Sequence, residues 1–519
     1  MPSISDNAAR HTVIDRRPGH YLCFPDVCIT KTGRLVVVYN EYDQHVATRR
    51  ALVVRTSDDL GDTWSPVRLL RTDMSHCPRI TALEDGHLVI GDDHGPTFLW
   101  SADNGETWAA HKGGGMAHGL IDRLIQLDTN TFLTTGHQHR GTHSHPAIRQ
   151  APPEQMVYIS ENRCRTWKAL SVMTFLRNLT LCEASMCRMP DGRILSIQRE
   201  NSFVYEPMYV CQSTDNGQTW SDPIPTGLIG HRPTMNLTPS GKLLVTYRNV
   251  GPDRGTCAWL GSEDELYGFR VHGYAPGNPE NTADGLKVDS EEGPEQVVRY
   301  ALRPMTDPRR AKARLEADIR VDEAGPNGVA MRLGVWWRIL ADRIVFDAPH
   351  NPENETDEAV TSFVPLPTNR TNTITIKYAN GLCRLMVNGR EKAALPVPAD
   401  NADTRPIIVG SPYPFENNRV RCTWHSIRLR MDDPAWPAPY EWEWKAGDPL
   451  PDADAARSIL ELKNDREANP GDFGYSGWVT LPDGSFYCVY HHGAGDEPGY
   501  SPGKSAHIIG TRFSEKDFA

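Results

Sequence analysis

Residues Ser57–Trp64 read SDDLGDTW, and the pattern returns as SADNGETW at Ser101–Trp108 and as STDNGQTW at Ser213–Trp220. A fourth, degraded copy, SENRCRTW, runs from Ser160 to Trp167, with Asn162 in place of the Asp and Cys164 in place of the Gly. Each copy reads as a hairpin turn: the Asp side chain takes backbone donors, Gly supplies a positive φ, and Trp packs the turn against the next layer. These residues are expected to staple turns and to do no chemistry.

Interleaved with the turns is a second repeat, an apolar strand, an Asp-Gly-type turn and another apolar strand. Its six copies are FPDVCITKTGRLVVVYN, CPRITALEDGHLVIGDD, IDRLIQLDTNTFLTTGH, EASMCRMPDGRILSIQRE, RPTMNLTPSGKLLVTYRN and YSGWVTLPDGSFYCVYHH. Short strands at regular spacing, one turn-stapled sheet per unit, predict an all-β chain built as a six-bladed β-propeller. The spacing breaks once, where about two hundred residues separate the copy near Arg232 from the copy near Tyr475, too many for a loop. Segments of alternating polarity such as ARLEADIRVDE and TITIKYANGLCRLMVNGRE fill that gap, so a β-sandwich is expected to interrupt the propeller. Its hairpin form resembles, in pattern, concanavalin-like and laminin-G-like lectin domains. The expected organisation is five blades in 1–274, the inserted sandwich in 275–435, and the last blade with closure in 436–519.

Composition narrows the function classes. The 519 residues are 39% apolar and 23% charged, and no run approaches the ~20 apolar residues of a membrane-spanning helix. With 55 Lys+Arg against 66 Asp+Glu, the net charge of -11 gives no general attraction for nucleic acid or an anionic membrane, so an anionic ligand needs a local arginine cluster. Eleven cysteines without tight spacing, several in strand-like segments (Cys23, Cys28, Cys182, Cys187), read as buried thiols and not as a disulfide framework. The opening residues show no charged stretch leading into an apolar one, so the cytoplasm is the expected location; a chain trimmed of a leader would read the same.

Counting nine residues back from each turn residue, with Asn130 serving in the third unit, gives Phe24, Cys77, Ile121, Glu183, Arg232 and Tyr475. Two residues on, Asp26, Arg79, Arg123, Ser185, Thr234 and Gly477 are expected on the same strand face. Innermost strands of a propeller face its channel, and a ring holding Glu, Tyr, Asp and three Arg is too polar for a core face.

The turns and six units resemble the sialidase superfamily, whose turn repeats are called Asp boxes; the likeness covers about 20–270 and 470–515. In that family a Glu opens the innermost strand of a middle blade and an Arg follows its turn, which CEASMCRMPDGRILSIQREN matches with Glu183 and Arg199. The last blade opens on Tyr-Ser, here Tyr475 and Ser476. The resemblance implies a further Arg in YRNVGPDRGTCAWLG, Arg254 with Arg248 as fallback, and an acid in the loop YNEYDQHV, Asp43, with Asp26 as competitor. It implies retaining hydrolysis: Glu183 takes the phenol proton, Tyr475 forms a glycosyl intermediate, and Asp43 protonates the leaving oxygen. A phenol suits an anomeric carbon that already bears a carboxylate, because a carboxylate nucleophile would bring two negative charges together.

One departure concerns the first blade. The family opens it on Arg-Ile-Pro, whereas this chain reads Leu22-Cys23-Phe24-Pro25. Arg79, Arg123 and Arg232 stand as replacements, with Arg199, Arg254 and Asp26 completing the expected substrate contacts. The expected partner is a glycan ending in sialic acid, a related ulosonate or another acidic sugar; no cofactor or metal, nucleic acid or membrane is expected. Histidines 137, 139, 143 and 145 in one loop, with His76, His94, His118, His231, His491 and His492, read as solvated or hydrogen-bonded, and also leave open a lyase that removes the proton α to a uronate carboxylate. A glycan-binding propeller without activity is the third reading.

Overall fold

The computed structural model describes residues 1–519 except 73–74, 94–95, 143–150, 203–206, 252, 294–295, 348–360, 400–401, 412–417, 437 and 519. The chain is all-β, a propeller interrupted by a second pair of sheets. Its first three sheets each take four consecutive antiparallel strands, beginning at Tyr21–Ile29, Arg79–Ala82 and Ile125–Gln126. The fourth and fifth are joined through one long strand, Ile224–Leu237, whose first half edges the fourth sheet and whose second half opens the fifth. The sixth runs from Ser476–Thr480 to His507–Phe513 and takes its outer strand, His11–Asp15, from the start of the chain.

Six apolar clusters lie between neighbouring sheets, one for each adjacent pair around the cycle. Leu35, Val37 and Trp64 of the first sheet meet Tyr487 and Val489 of the sixth, and Leu244 and Leu460 of the fifth meet Phe486 and Phe513 of the sixth. The turns hold as read. Ser57 Oγ donates to Asp59 Oδ1 at 2.7 Å and accepts from Gly61 N at 2.8 Å, Asp59 Oδ1 accepts from Thr63 N at 2.9 Å, and Trp64 Nε1 donates to Gly61 O at 3.2 Å. The degraded copy keeps this geometry, with Asn162 Oδ1 accepting from Thr166 N at 2.9 Å and Cys164 holding the left-handed backbone at φ 64.

The insertion has two sheets around one core that includes Leu315, Trp337, Ile376 and Leu429. Its outermost strands are His272–Tyr274 and Tyr440–Lys445, so it reaches beyond the expected 275–435. Tyr440–Lys445 reads YEWEWK, an alternation that buries Trp444 and exposes its glutamates beside Val420–Asp432. Beyond it, Ile459–Asn464 returns to the propeller as the outer strand of the fifth sheet, which places the insertion inside that sheet and not between blades.

Neighbouring innermost strands are tied by side chains two residues after the positions counted above, or one residue after in the third sheet. Asp26 Oδ2 accepts from Ile80 N at 2.9 Å, Asp122 Oδ2 from Met186 N at 2.8 Å and Ser185 Oγ from Met235 N at 3.1 Å, while Thr234 Oγ1 donates to Ser476 O at 2.7 Å. Asp26 is fully buried, so it is a structural acceptor and not a substrate contact. Arg123 spends its donors on both Asp26 oxygens and on the carbonyls of Val27 and Trp478, which removes it from the expected channel wall as well. Burial alone would raise the Asp26 carboxyl, but Arg123 and Arg79 outweigh it and hold it below its usual range.

Asp26→Ala strands two buried guanidinium groups and is expected to cost about 3–5 kcal/mol in denaturant unfolding. Because the folded carboxyl is depressed, its stabilisation is present above the ordinary Asp value of about 4 and disappears as pH falls through the folded one. Acid unfolding midpoints should therefore shift less in Asp26→Ala than in the parent chain.

Candidate functional site

Six innermost strands converge on the axis, and each bends where it meets the channel. Phe24, Cys77, Glu183 and Arg232 have φ of 55, 43, 47 and 49°, left-handed values that non-glycine residues rarely hold. The first, fourth and fifth strands carry bulges there, and these aim the side chains inward. In the third sheet the left-handed residue is Leu120 (φ 57°), one before the expected Ile121, and in the sixth it is Gly474, one before Tyr475.

Tyr475 and Glu183 meet at this axis. Tyr475 Oη donates to Glu183 Oε1 at 2.8 Å. Arg199 Nη1 donates to Tyr475 Oη at 2.8 Å and to both Glu183 oxygens at 2.9 Å, and Arg199 Nη2 is held by Asn201 Oδ1. Tyr475 is 7% exposed, Glu183 6% and Arg199 9%, so the network is shielded yet touches the channel. Burial pushes the phenol up, and the Glu183 charge adds to it. Burial would also raise Glu183, but Arg199 and Arg232 overcome it and keep the carboxylate ionised, far below its usual range.

Arg248, the fallback, completes the cluster: its guanidinium lies 4.1 Å from the centre of the Tyr475 ring, and Nε donates to Phe473 O at 2.6 Å. Arg254, the expected residue, instead donates to Ala468 O at 3.4 Å, in the loop between the fifth and sixth sheets. Asp43 lies in the loop after Leu35–Tyr42. Its carboxylate is partly exposed and accepts from Thr48 Oγ1, Thr48 N and Arg49 N. Those bonds hold the carboxylate ionised, below its usual range.

Arg79 and Arg232 behave differently from Arg123. Both line one crevice with Tyr475, Phe24, Pro25, Cys77 and Pro78, a space of about 10 Å3 that takes roughly one water. Arg79 is 3% exposed and Arg232 2%, and Arg79 Nη2 and Arg232 Nη1 have no hydrogen-bond partner among the described residues. Burial and the neighbouring Arg232 bring Arg79 down to about 10. Two desolvated cations with free donors facing one space form a site for an anion.

The first sheet contributes no cation. Phe24 packs edge-on against Tyr42, His45, His76 and His491 and tilts against Tyr475, with ring centres 5.2–6.3 Å apart. His137 accepts from Glu183 N through Nδ1 at 3.4 Å and is brought down to about 3 by burial, so it is a neutral imidazole. Of the loop histidines, His139 rests beside His137 with ring centres 5.7 Å apart; His143 and His145, like His94, lie outside the described residues. Among the described residues no group of three or more His, Cys, Asp or Glu is placed to hold a metal ion.

The channel residues of the second strands share a position, and of these Asn40 and Asp93 were missed from sequence. Seven residues after each turn stand Asn40, Asp93, His137, Arg199, Arg248 and His491, all polar. Cys182 pairs with Arg199 and His231 with Arg248 across the inner hairpins, so this forward count marks the second strand where it reaches the channel.

Residues 92–265 match the model of the BNR repeat-like domain. No curated protein matches the chain. A Dyadobacter fermentans protein of unknown function is 13% identical, with 97% of this chain and 98% of that one covered and a TM-score of 0.49. Trypanosoma rangeli sialidase in complex with 2,3-difluorosialic acid (covalent intermediate) is 12% identical over 83% of this chain and 96% of that one, TM-score 0.37. Penicillium chrysogenum alpha-L-arabinanase complexed with arabinobiose is 14% identical over 51% and 89%, TM-score 0.38. The likeness to these structures is one of fold.

Glu183→Gln removes the negative charge among Arg199, Arg232 and Arg248 and is expected to lower unfolding stability by about 3 kcal/mol or more. Adding Arg199→Gln should restore part of that loss, which a double-mutant cycle in denaturant measures.

Proposed function

We propose that the chain is a retaining glycoside hydrolase that removes a terminal anionic sugar from a glycan, with Tyr475 as nucleophile. The supporting observation is the short chain Arg199–Tyr475–Glu183, in which the phenol oxygen accepts from a guanidinium and donates to an ionised carboxylate. The carboxylate is in the state that accepts a proton. The phenol is not in the state that attacks, so the transfer is uphill at rest, and two groups reduce its cost. Arg199 Nη1 points at the oxygen where phenolate charge grows, and Arg248 lies over the ring that shares it.

Arg79 and Arg232 supply the affinity for an acid group in this reading. Their unpartnered donors gain most from a carboxylate brought out of water, which supports an acidic sugar over a neutral one. The six sheets and their Ser-Asp-Gly-Trp turns support placing the chain with Asp-box propellers of sialidase type, and the two-sheet insertion stands as an accessory module.

Methylumbelliferyl glycosides test the proposal. Release of the fluorophore is expected from the α-ketoside of sialic acid or a related ulosonate, and not from a neutral arabinoside. Tyr475→Phe should lose about a thousandfold in kcat while folding normally, and Arg232→Gln should raise KM for the acidic glycoside alone. A fluorinated acidic sugar should add its mass to the peptide that holds Tyr475. Full activity in Tyr475→Phe ends the nucleophile assignment, and an ultraviolet-absorbing unsaturated uronate product assigns the site to a lyase.

A further inference from the structure

Beside the Tyr475 network stands a second polar series that the proposed hydrolysis does not use. His76 Nδ1 lies 2.8 Å from Asp93 Oδ2, and His76 Nε2 lies 3.7 Å from Cys77 Sγ. The backbone fixes this series at both ends. His76 N donates to Asp92 Oδ1 at 3.1 Å and Cys77 N to Asn40 Oδ1 at 2.8 Å, while the left-handed backbone at Cys77 places the residue in the crevice wall. Carboxylate, imidazole and thiol therefore stand in the order that activates a sulfur nucleophile.

We propose that Cys77, activated by His76 and Asp93, is a peroxide-reactive thiol whose substrate is a water-sized hydroperoxide. The size limit comes from the thiol itself: Cys77 is 2% exposed in the wall of the crevice, so only a very small molecule reaches its sulfur. Hydrogen peroxide approaches that size; maleimides and disulfides do not.

The surroundings act on the imidazole. Burial would lower the His76 imidazole, but Cys77 and Asp93 raise it to about 11, so it carries the proton at neutral pH. Arg232, Tyr475, Tyr42 and Cys23 are the other titratable groups facing the thiol, and Arg232 is the cation among them. The remaining ten cysteines are buried thiols that desolvation pushes up, Cys187 and Cys383 to about 12 and the others further. Burial keeps those ten protonated and slow to react.

The step balances. The thiolate attacks one peroxide oxygen, an S–O bond forms and the O–O bond breaks. Sulfur gives up two electrons, and the departing hydroxide takes the His76 proton to become water. Cys77 is left as a sulfenic acid whose oxygen lies in the crevice shared with Arg79, Arg232 and Tyr475.

The test exposes the intact protein to hydrogen peroxide at neutral pH, stops the reaction with catalase, and maps added oxygen by peptide mass. The peptide holding Cys77 should gain oxygen first, about tenfold or more ahead of the other cysteines, while maleimide leaves it unlabelled in the folded chain. His76→Phe should slow that gain about tenfold, and Asp93→Asn, which keeps thiol and imidazole, should slow it less. Equal rates in the parent chain and both variants, oxidation of other cysteines first, or maleimide capture of Cys77 in the folded chain would each overturn the proposal. Added mass is read without any glycoside, so failure of the hydrolase reading leaves this test standing.

Discussion

The site depends on a backbone constraint: the innermost strand of a sheet must turn a side chain toward the axis without leaving its hydrogen-bonded ladder. A left-handed residue does this at a cost of about 1–3 kcal/mol for a side chain other than glycine. Phe24, Cys77, Leu120, Glu183 and Arg232 all accept that conformation. It persists because the residue two places later is bonded to the neighbouring strand, so the ring holds each bend in place. Glu183 and Arg232 therefore reach the channel from strained positions, in an orientation fixed before any ligand arrives.

Electrostatics then divides the axis into two regions. Around Glu183 the charges are matched closely enough that Tyr475, Arg199 and the carboxylate form one hydrogen-bonded unit. Toward Arg79 and Arg232 they are not matched, and desolvated donors face a small space. Phe24 and its ring of aromatic neighbours separate the first sheet from both regions, so the channel is lined by guanidinium groups on one side and by aromatic rings on the other.

Much of this was legible in the sequence because the repeat carries its own ruler. Glycine marks five of the six inner turns, and a count from it located Glu183, Arg232 and Cys77 on their bends. The third unit has Asn130 there, and the count slipped by one, which put Arg123 on the wall where Asp122 makes the inter-strand bond. Arg254 and Asp43 were placed by loop position, and loops follow no repeat. Arg248, on the strand Leu243–Asn249 and seven residues after its turn, stood only as the fallback. The edges of the insertion were misplaced because YEWEWK has only three inward positions, too short a pattern to separate from a loop, and because no sequence feature tells that Ile459–Asn464 belongs to a sheet begun more than two hundred residues earlier.

That last pairing has a consequence for biosynthesis. During translation the fifth sheet stays one strand short until the whole insertion has left the ribosome, and His11–Asp15 waits longer still for Val13 to pair with Ile509. One unpaired strand therefore persists through most of synthesis and one open sheet edge while the insertion is made, and the self-contained core of the insertion gives the nascent chain a folded unit during that wait. Ring closure is the final event, so a truncated or stalled product presents open edges to any other chain it meets.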